Sequence, residues 1–228
     1  VMRVMFHHLI GDHVSLEVME EEQARFVRNE IEELDEPVPF RNYIANVCLG
    51  ISEEEHVEFF TRMLKDVREP TAPFGVTDVW GDGSDVDHQY SPISPELALT
   101  IRSESKKHGV SVASLCHLAW AVVLSKLTGQ ESVVFGTLLF GRMQGGEGSD
   151  RAMGVFINTL PVRMDINHRS VAELLDESYA QLVDLIRHEH APLALAQRCS
   201  SIPSDQPLFS SLMNYRYSLN YEEKVAAA

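Results

Sequence analysis

Three histidines and an aspartate fall within the seven residues His7-His8-Leu9-Ile10-Gly11-Asp12-His13. Imidazoles and a carboxylate so close together can ligate a metal, or they can move protons near neutrality, for which a histidine pKa of about 6.5 is suited. The spacing is unlike the HExxH helix, whose ligands one turn apart share a face. On an extended segment His7 and His8 point to opposite faces, so only one of them enters a given site. A single working histidine, His8, with a structural neighbour is the expectation. No Gly-x-Ser-x-Gly elbow supports a serine nucleophile. Cys116-His117 adjoin on a helix, where neighbours diverge by about 100°, and Cys116 falls in the apolar face, as core. A histidine without a protein nucleophile suggests that the nucleophile comes from the substrate.

The elements that must position these residues follow from the periodicity. Val1 to Phe6 reads as a strand already under way, which suggests a truncated piece, and helical spacing from Ser15 (Leu16, Met19, Phe26, Val27, Ile31, Leu34) runs to the break at Pro37 and Pro39. Ser52 with Glu55 forms a capping box for a helix that Pro70 closes. Thr71 to Asp87 is a Gly/Pro/Asp-rich loop, followed by a short strand near His88 to Ile93. Ser94-Pro95 opens a helix ended by Gly109, and Ser111 opens a buried core helix ended by Gly129. Ser132 to Phe140 and Phe156 to Ile166 are β-rich and read as neighbouring central strands, with a flexible loop at Gly145 to Gly148. Ser170 with Glu173 caps a helix ending near His188, and Leu208 to Tyr217 is the last strand. His188 and His190 form an HxH pair at a frayed helix end, where the dipole favours a cation, and are assigned a structural role. Strands alternating with helices predict an α/β sandwich, with helices packed against one mixed sheet.

Composition narrows the partners. Among 228 residues, 19 Lys plus Arg against 34 Asp plus Glu give a net charge of −15, which argues against nucleic acid or an anionic membrane as the partner. Apolar runs fall short of the roughly 20 residues of a membrane-spanning helix. Cys48, Cys116 and Cys199 form no CxxC pair, and the expectation is a soluble protein of the reducing cytoplasm, with no secretory signal.

The residues also resemble a family, the condensation domains of nonribosomal peptide synthetases, relatives of chloramphenicol acetyltransferase. The family's HHxxxDG signature is matched from His7 to Asp12, with His13 in place of the glycine. Pro39-Phe40-Arg41-Asn42-Tyr43, Val134-Phe135-Gly136-Thr137 with Gly141-Arg142, and Met153-Gly154-Val155-Phe156-Ile157-Asn158-Thr159-Leu160-Pro161-Val162-Arg163 follow in family order. His188 to Leu193 and Gln206 to Phe209 are weaker matches. The resemblance implies a chloramphenicol acetyltransferase-like fold of two lobes, a two-layer sandwich of mixed sheet and packed helices. Residues 1–36 end the N-terminal lobe, 37–228 form the C-terminal lobe, and most of the first lobe is missing.

It also implies an acyltransferase that joins acyl and aminoacyl thioesters, held on donor and acceptor carrier proteins, into an amide or ester. His8 is the catalytic residue, with His7, Asp12, Arg142 and Asn214 in support; Asp12 pairs with Arg142, and Asn158 and Thr159 are architectural. No cofactor or metal is implied for the domain itself, because substrates arrive on phosphopantetheine arms. Carrier domains and an adenylation domain are the implied partners. The alternatives are a non-catalytic docking or gating module of the same fold, an epimerisation-type relative, or a metal-dependent hydrolase built on the histidine cluster. Heterocyclising relatives carry aspartates where this chain has His7-His8.

Overall fold

Side-chain caps set where most of the helices begin. In the computed structural model, which describes residues 5–78, 86–167 and 169–216, Asp12 caps α1 (His13–Val27) by accepting from the Ser15 amide. No side chain caps α2 (Phe40–Leu49), which follows Pro39. The capping boxes expected at Ser52/Glu55 and Ser170/Glu173 open α3 (Glu53–Leu64) and α6 (Val171–Arg187). Ser94 and Ser111 cap α4 (Pro95–His108) and α5 (Val112–Thr128), and Gly109 and Gly129, both left-handed, end them. A short α7 (Leu193–Arg198) follows Pro192.

Among the described residues three strands form one mixed sheet, in the order β2-β1-β3. Here β1 (Ser132–Leu139) pairs antiparallel with β2 (Asn158–Asp165) and parallel with β3 (Leu212–Met213). Val133, Val134 and Phe135 are all buried, so both faces of β1 are covered. Gly136 lets Leu212 and Phe209 pack close to the strand, since a Cβ there would lie 2.2 Å from Leu212 Cδ2 and 2.6 Å from Phe209 and those side chains would have to shift. The core joins Phe60 and Leu64 of α3, Leu118 and Leu124 of α5, Leu160 and Val162 of β2 and Leu182 and Leu185 of α6. The expected α/β class, helices on a mixed sheet, is the class observed. Among the described residues no single helix is long and apolar enough to cross a membrane.

Several boundaries differ from expectation. The first helix starts at His13 and stops at Val27, with a 3-10 turn at Ile31–Glu33, because Asp12 rather than Ser15 supplies the cap. Met5 and Phe6 are not in a strand, and the rest of the Val1 to Phe6 segment lies outside the described residues. Residues 86–94 form no strand, for Tyr90 stands 89% exposed and among the described residues no neighbour pairs with the segment. Among the described residues β2 lies at the edge of the sheet, not at its centre. The last strand shrinks to two residues, and Tyr217 lies outside the described residues. Helix α5 is buried on one face only: Leu118, Ala121 and Leu124 meet the core while Val123 and Leu127 are exposed, as only one side of a helix can face the sheet.

The HxH pair belongs to a second, aromatic seam. His188 caps α6 and stacks on Phe59 of α3, with ring centroids 4.0 Å apart, and its Nδ1 lies 2.8 Å from Nδ1 of His56. Burial, then the neighbouring His56 ring, pulls the His188 pKa down to about 4. The helix terminus therefore does not hold a cation at position 188, because desolvation against Phe59 outweighs the dipole. Burial lowers His56 and His190 as well. Unfolded histidines take up protons near pH 6.5, and the folded His188 resists until about 4. Its contribution to stability is therefore complete above pH 6.5 and is lost as the pH falls through that window. Urea midpoints should fall between pH 7 and pH 4.5, and His188→Phe, which keeps the stacking partner, should flatten that decline.

Candidate active site

One carboxylate organises the histidine segment. Asp12 is 1% exposed. Its Oδ1 accepts from the Ser15 amide at 3.1 Å, from the Ser15 hydroxyl at 3.3 Å and from Arg142 Nη2 at 2.8 Å, and Oδ2 accepts from the Phe156 amide at 3.3 Å. The Asp12 amide donates to Gly154 O at 3.2 Å. Ser15 completes the link, donating to Gly154 O at 3.1 Å and accepting from Gly154 N at 3.0 Å. A buried carboxylate needs this many partners to replace its hydration. Arg142 is held in turn: Nη1 donates to Ser149 O and to Ala152 O, the latter at 2.9 Å, and its guanidinium lies 3.9 Å from the Phe156 ring centroid. Beside it, Gly141 is left-handed, and a Cβ there would stand 1.8 Å from Phe156 O.

The histidines sit above this anchor. His8, Leu9 and Ile10 form a turn closed by Ile10 N donating to His7 O at 3.0 Å, and His7 Nδ1 accepts from Leu9 N at 3.0 Å. His7 and His8 are both exposed, whereas Gly11 and Asp12 are buried. The pair therefore lies in a turn, not at a strand exit. Asp12 spends both oxygens on Arg142, Ser15 and Phe156, so it does not join the histidines in a ligand cluster. His13 is the first residue of α1, with its ring 5.4 Å from that of Phe140. Burial, then Arg216, lowers its pKa. Asn214 is exposed, one residue beyond β3 instead of within it.

Sequence reasoning passed over several residues that hold the site. Phe156 packs against Tyr43 at 4.3 Å and Phe40 at 5.3 Å, both from α2. Glu189 is buried; its Oε1 accepts from the Gln144 amide at 2.6 Å, with further backbone donors at Gly141 and Met143. Burial nevertheless raises its pKa. Asn158 Nδ2 donates to Glu189 O at 2.8 Å and Ala191 O at 2.7 Å, an architectural role as expected. An acid between two histidines in His188-Glu189-His190 was the available signal for Glu189. His117 is the buried member of the Cys116-His117 pair: its Nδ1–H donates to Ala113 O at 2.7 Å, so Nε2 accepts from Thr137 Oγ1 at 2.7 Å. Cys116 is half-buried, and burial raises its thiol pKa.

Because the Asp12 and Arg142 side chains are 1% and 10% exposed, removing either partner strands a charge. Arg142→Ala should lower the unfolding free energy by about 3–5 kcal/mol. The double variant Asp12→Ala/Arg142→Ala should lose less than the sum of the singles when all are compared by denaturant unfolding. Additive losses would mean that the two groups act independently.

Comparison with known proteins places this geometry. A family model described as the condensation domain matches residues 1–227. Malpibaldin synthetase of Mortierella alpina is 51% identical over 218 residues, 96% of this chain and 4% of that protein. Malpinin synthetase of the same organism is 48% identical over 224 residues, 98% of this chain and 3% of that protein. The chain thus spans a small fraction of these relatives. Among solved structures, the first condensation domain of the calcium-dependent antibiotic synthetase, in complex with a substrate analogue, superposes with a TM-score of 0.69 at 18% identity, covering 92% of this chain and 50% of that one. A four-domain nonribosomal peptide synthetase bound to AMP and glycine gives 0.70 at 18% identity, covering 96% and 17%. The fold is shared with both, and with the family model matching nearly end to end, the chain belongs to the condensation domain family.

Proposed function

We propose that this chain supplies the histidine segment and the C-terminal lobe, residues 37–228, of a condensation domain that forms an amide or ester bond between carrier-bound thioesters. The observation that carries the reading is the anchored turn: Asp12 is locked to Arg142 and Gly154 below, and His8 is exposed above. An imidazole there is open to a substrate while its backbone is fixed. The synthetase relatives, and the solved four-domain assembly of which this chain covers 17%, support an assembly-line setting with carrier and adenylation domains as neighbours. The chain covers about half of the solved condensation domain, which supports a second lobe as its partner.

In this reading the acceptor's amine or hydroxyl attacks the donor's thioester carbonyl. A neutral His8 imidazole accepts the proton that the nucleophile loses, or hydrogen-bonds to the tetrahedral intermediate. The intermediate collapses by breaking its C–S bond, and the departing sulfur takes a proton to become the free thiol of the donor's phosphopantetheine arm. No protein nucleophile and no metal is needed. His7, whose Nδ1 is engaged by Leu9 N, shapes the turn, and Arg142 and Asp12 act as positioning residues. Asn214 is assigned to the channel wall.

In the intact synthetase with loaded carrier proteins, His8→Ala should reduce product formation by roughly a hundredfold or more. Its circular dichroism should not change, since His8 is exposed. Undiminished turnover would remove His8 from the mechanism. An unmodified protein that binds carriers but forms no product would assign the chain to docking.

A further inference from the structure

Between α5, α6 and the C-terminal end of β1 lies a cavity of about 360 Å³. It exists because that end of the helix layer is built of small residues. Ser111 caps α5 and Ala113 and Ser114 lie in its first turn, whereas one to three turns later Leu118, Ala121 and Leu124 fill the same layer with core. Leu139 and Phe140 of β1 and its exit, with Val183 and Ile186 on one face of α6, supply the apolar wall. At about 30 Å³ per molecule, a cavity of this size displaces about a dozen waters, and water against an apolar wall is readily given up to an apolar ligand.

The two buried titratable groups named in its lining, His117 and Glu189, are already paired within the protein. His117 donates to Ala113 O and accepts from Thr137. Glu189 is held by the Gln144, Gly141 and Met143 amides. Neither is left over to pair with a charged ligand. One wall residue of the cavity neighbours the start of α1. Phe140, in its wall, lies 5.4 Å from the ring of His13, which opens the helix directly after the His7–Asp12 turn. Tyr215, the residue after Asn214, lines it as well.

We infer that this cavity receives the apolar side chain of a carrier-bound aminoacyl substrate and selects for it by size, with Phe140 at the junction with the histidine turn. The inference rests on the condensation reading, and the ligand is an aliphatic or aromatic side chain on either the donor or the acceptor arm. An extra methylene in such a pocket is worth roughly tenfold to a hundredfold in discrimination.

The test fills the cavity. Val183 is 44% exposed, so the fold can accommodate Val183→Trp at the rim; Ala113→Leu fills it from the opposite helix. The intact synthetase would be assayed with leucyl, alanyl and ornithyl groups loaded first on the donor and then on the acceptor carrier. Either variant should cut turnover of the leucyl substrate tenfold or more on one arm while leaving the alanyl substrate within about twofold, and the affected arm identifies the source. Equal loss for all side chains, no loss, or a preference for ornithyl in the unmodified protein would overturn the inference.

Calorimetric titration with leucyl- and alanyl-pantetheine amides reads the cavity without turnover. The unmodified protein should bind the leucyl amide at least tenfold more tightly, and both variants should lose that difference. An unmodified protein that keeps this preference yet makes no product would fail the condensation reading alone; equal binding of the two amides would fail the cavity.

Discussion

A carboxylate taken out of water loses several kcal/mol of hydration, and the loss is recovered only where a cation and several donors surround it. Asp12 meets that condition with Arg142, two groups of Ser15 and the Phe156 amide. Those partners come from three separate stretches of the chain, so satisfying one side chain brings the start of α1, the loop after β1 and the approach to β2 to one point. The same residue caps α1. The orientation of the His7-His8 turn thus follows from an electrostatic requirement four residues downstream of His8.

Arg142 could not answer Asp12 if its loop were free. Gly141 takes the left-handed conformation that lets the chain pass Phe156 O. On the far side, Glu189 gathers the amides of Gly141, Met143 and Gln144, and Asn158 ties the Glu189 and Ala191 carbonyls to the start of β2. The loop is therefore held between two buried acids, Asp12 in front and Glu189 behind. Burial raises the Glu189 pKa while the backbone donors oppose the rise, which is consistent with a carboxylate whose task is to fix amides.

What the sequence made legible was whatever local chemistry dictates. Ser52/Glu55, Ser170/Glu173, Gly109 and Gly129 mark helix ends through hydrogen bonds and backbone angles settled within a few residues, and they stand where expected. Helix α2 was not legible, because no side chain caps it after Pro39 and it buries no residue of its own; its Phe40 and Tyr43 act through contacts with Phe156 and His190, far along the chain. The strand expected near His88 failed for the same kind of reason, since a strand needs a neighbour and none among the described residues pairs with that segment. In the site, the Asp12–Arg142 contact came through the family resemblance, as no local pattern joins residues 130 positions apart. For Glu189 the acid between His188 and His190 was the one trace in the residue types, since its partners are backbone amides.

The histidine at position 13, where the family signature has glycine, gains a physical meaning from this arrangement. Glycine is required where the backbone takes a positive φ or where no Cβ fits, and neither holds at the first residue of α1, which is helical. A side chain at that position costs the backbone nothing and extends toward Phe140. Burial, then the nearby Arg216, lowers its pKa, and its ring packs on an aromatic face. Since Phe140 also walls the apolar cavity, the departure from the signature falls at the junction between the histidine turn and that cavity. A change there bears on what the site admits, while the buried contacts that hold His8 in place are made by Asp12 and Ser15 and do not involve it.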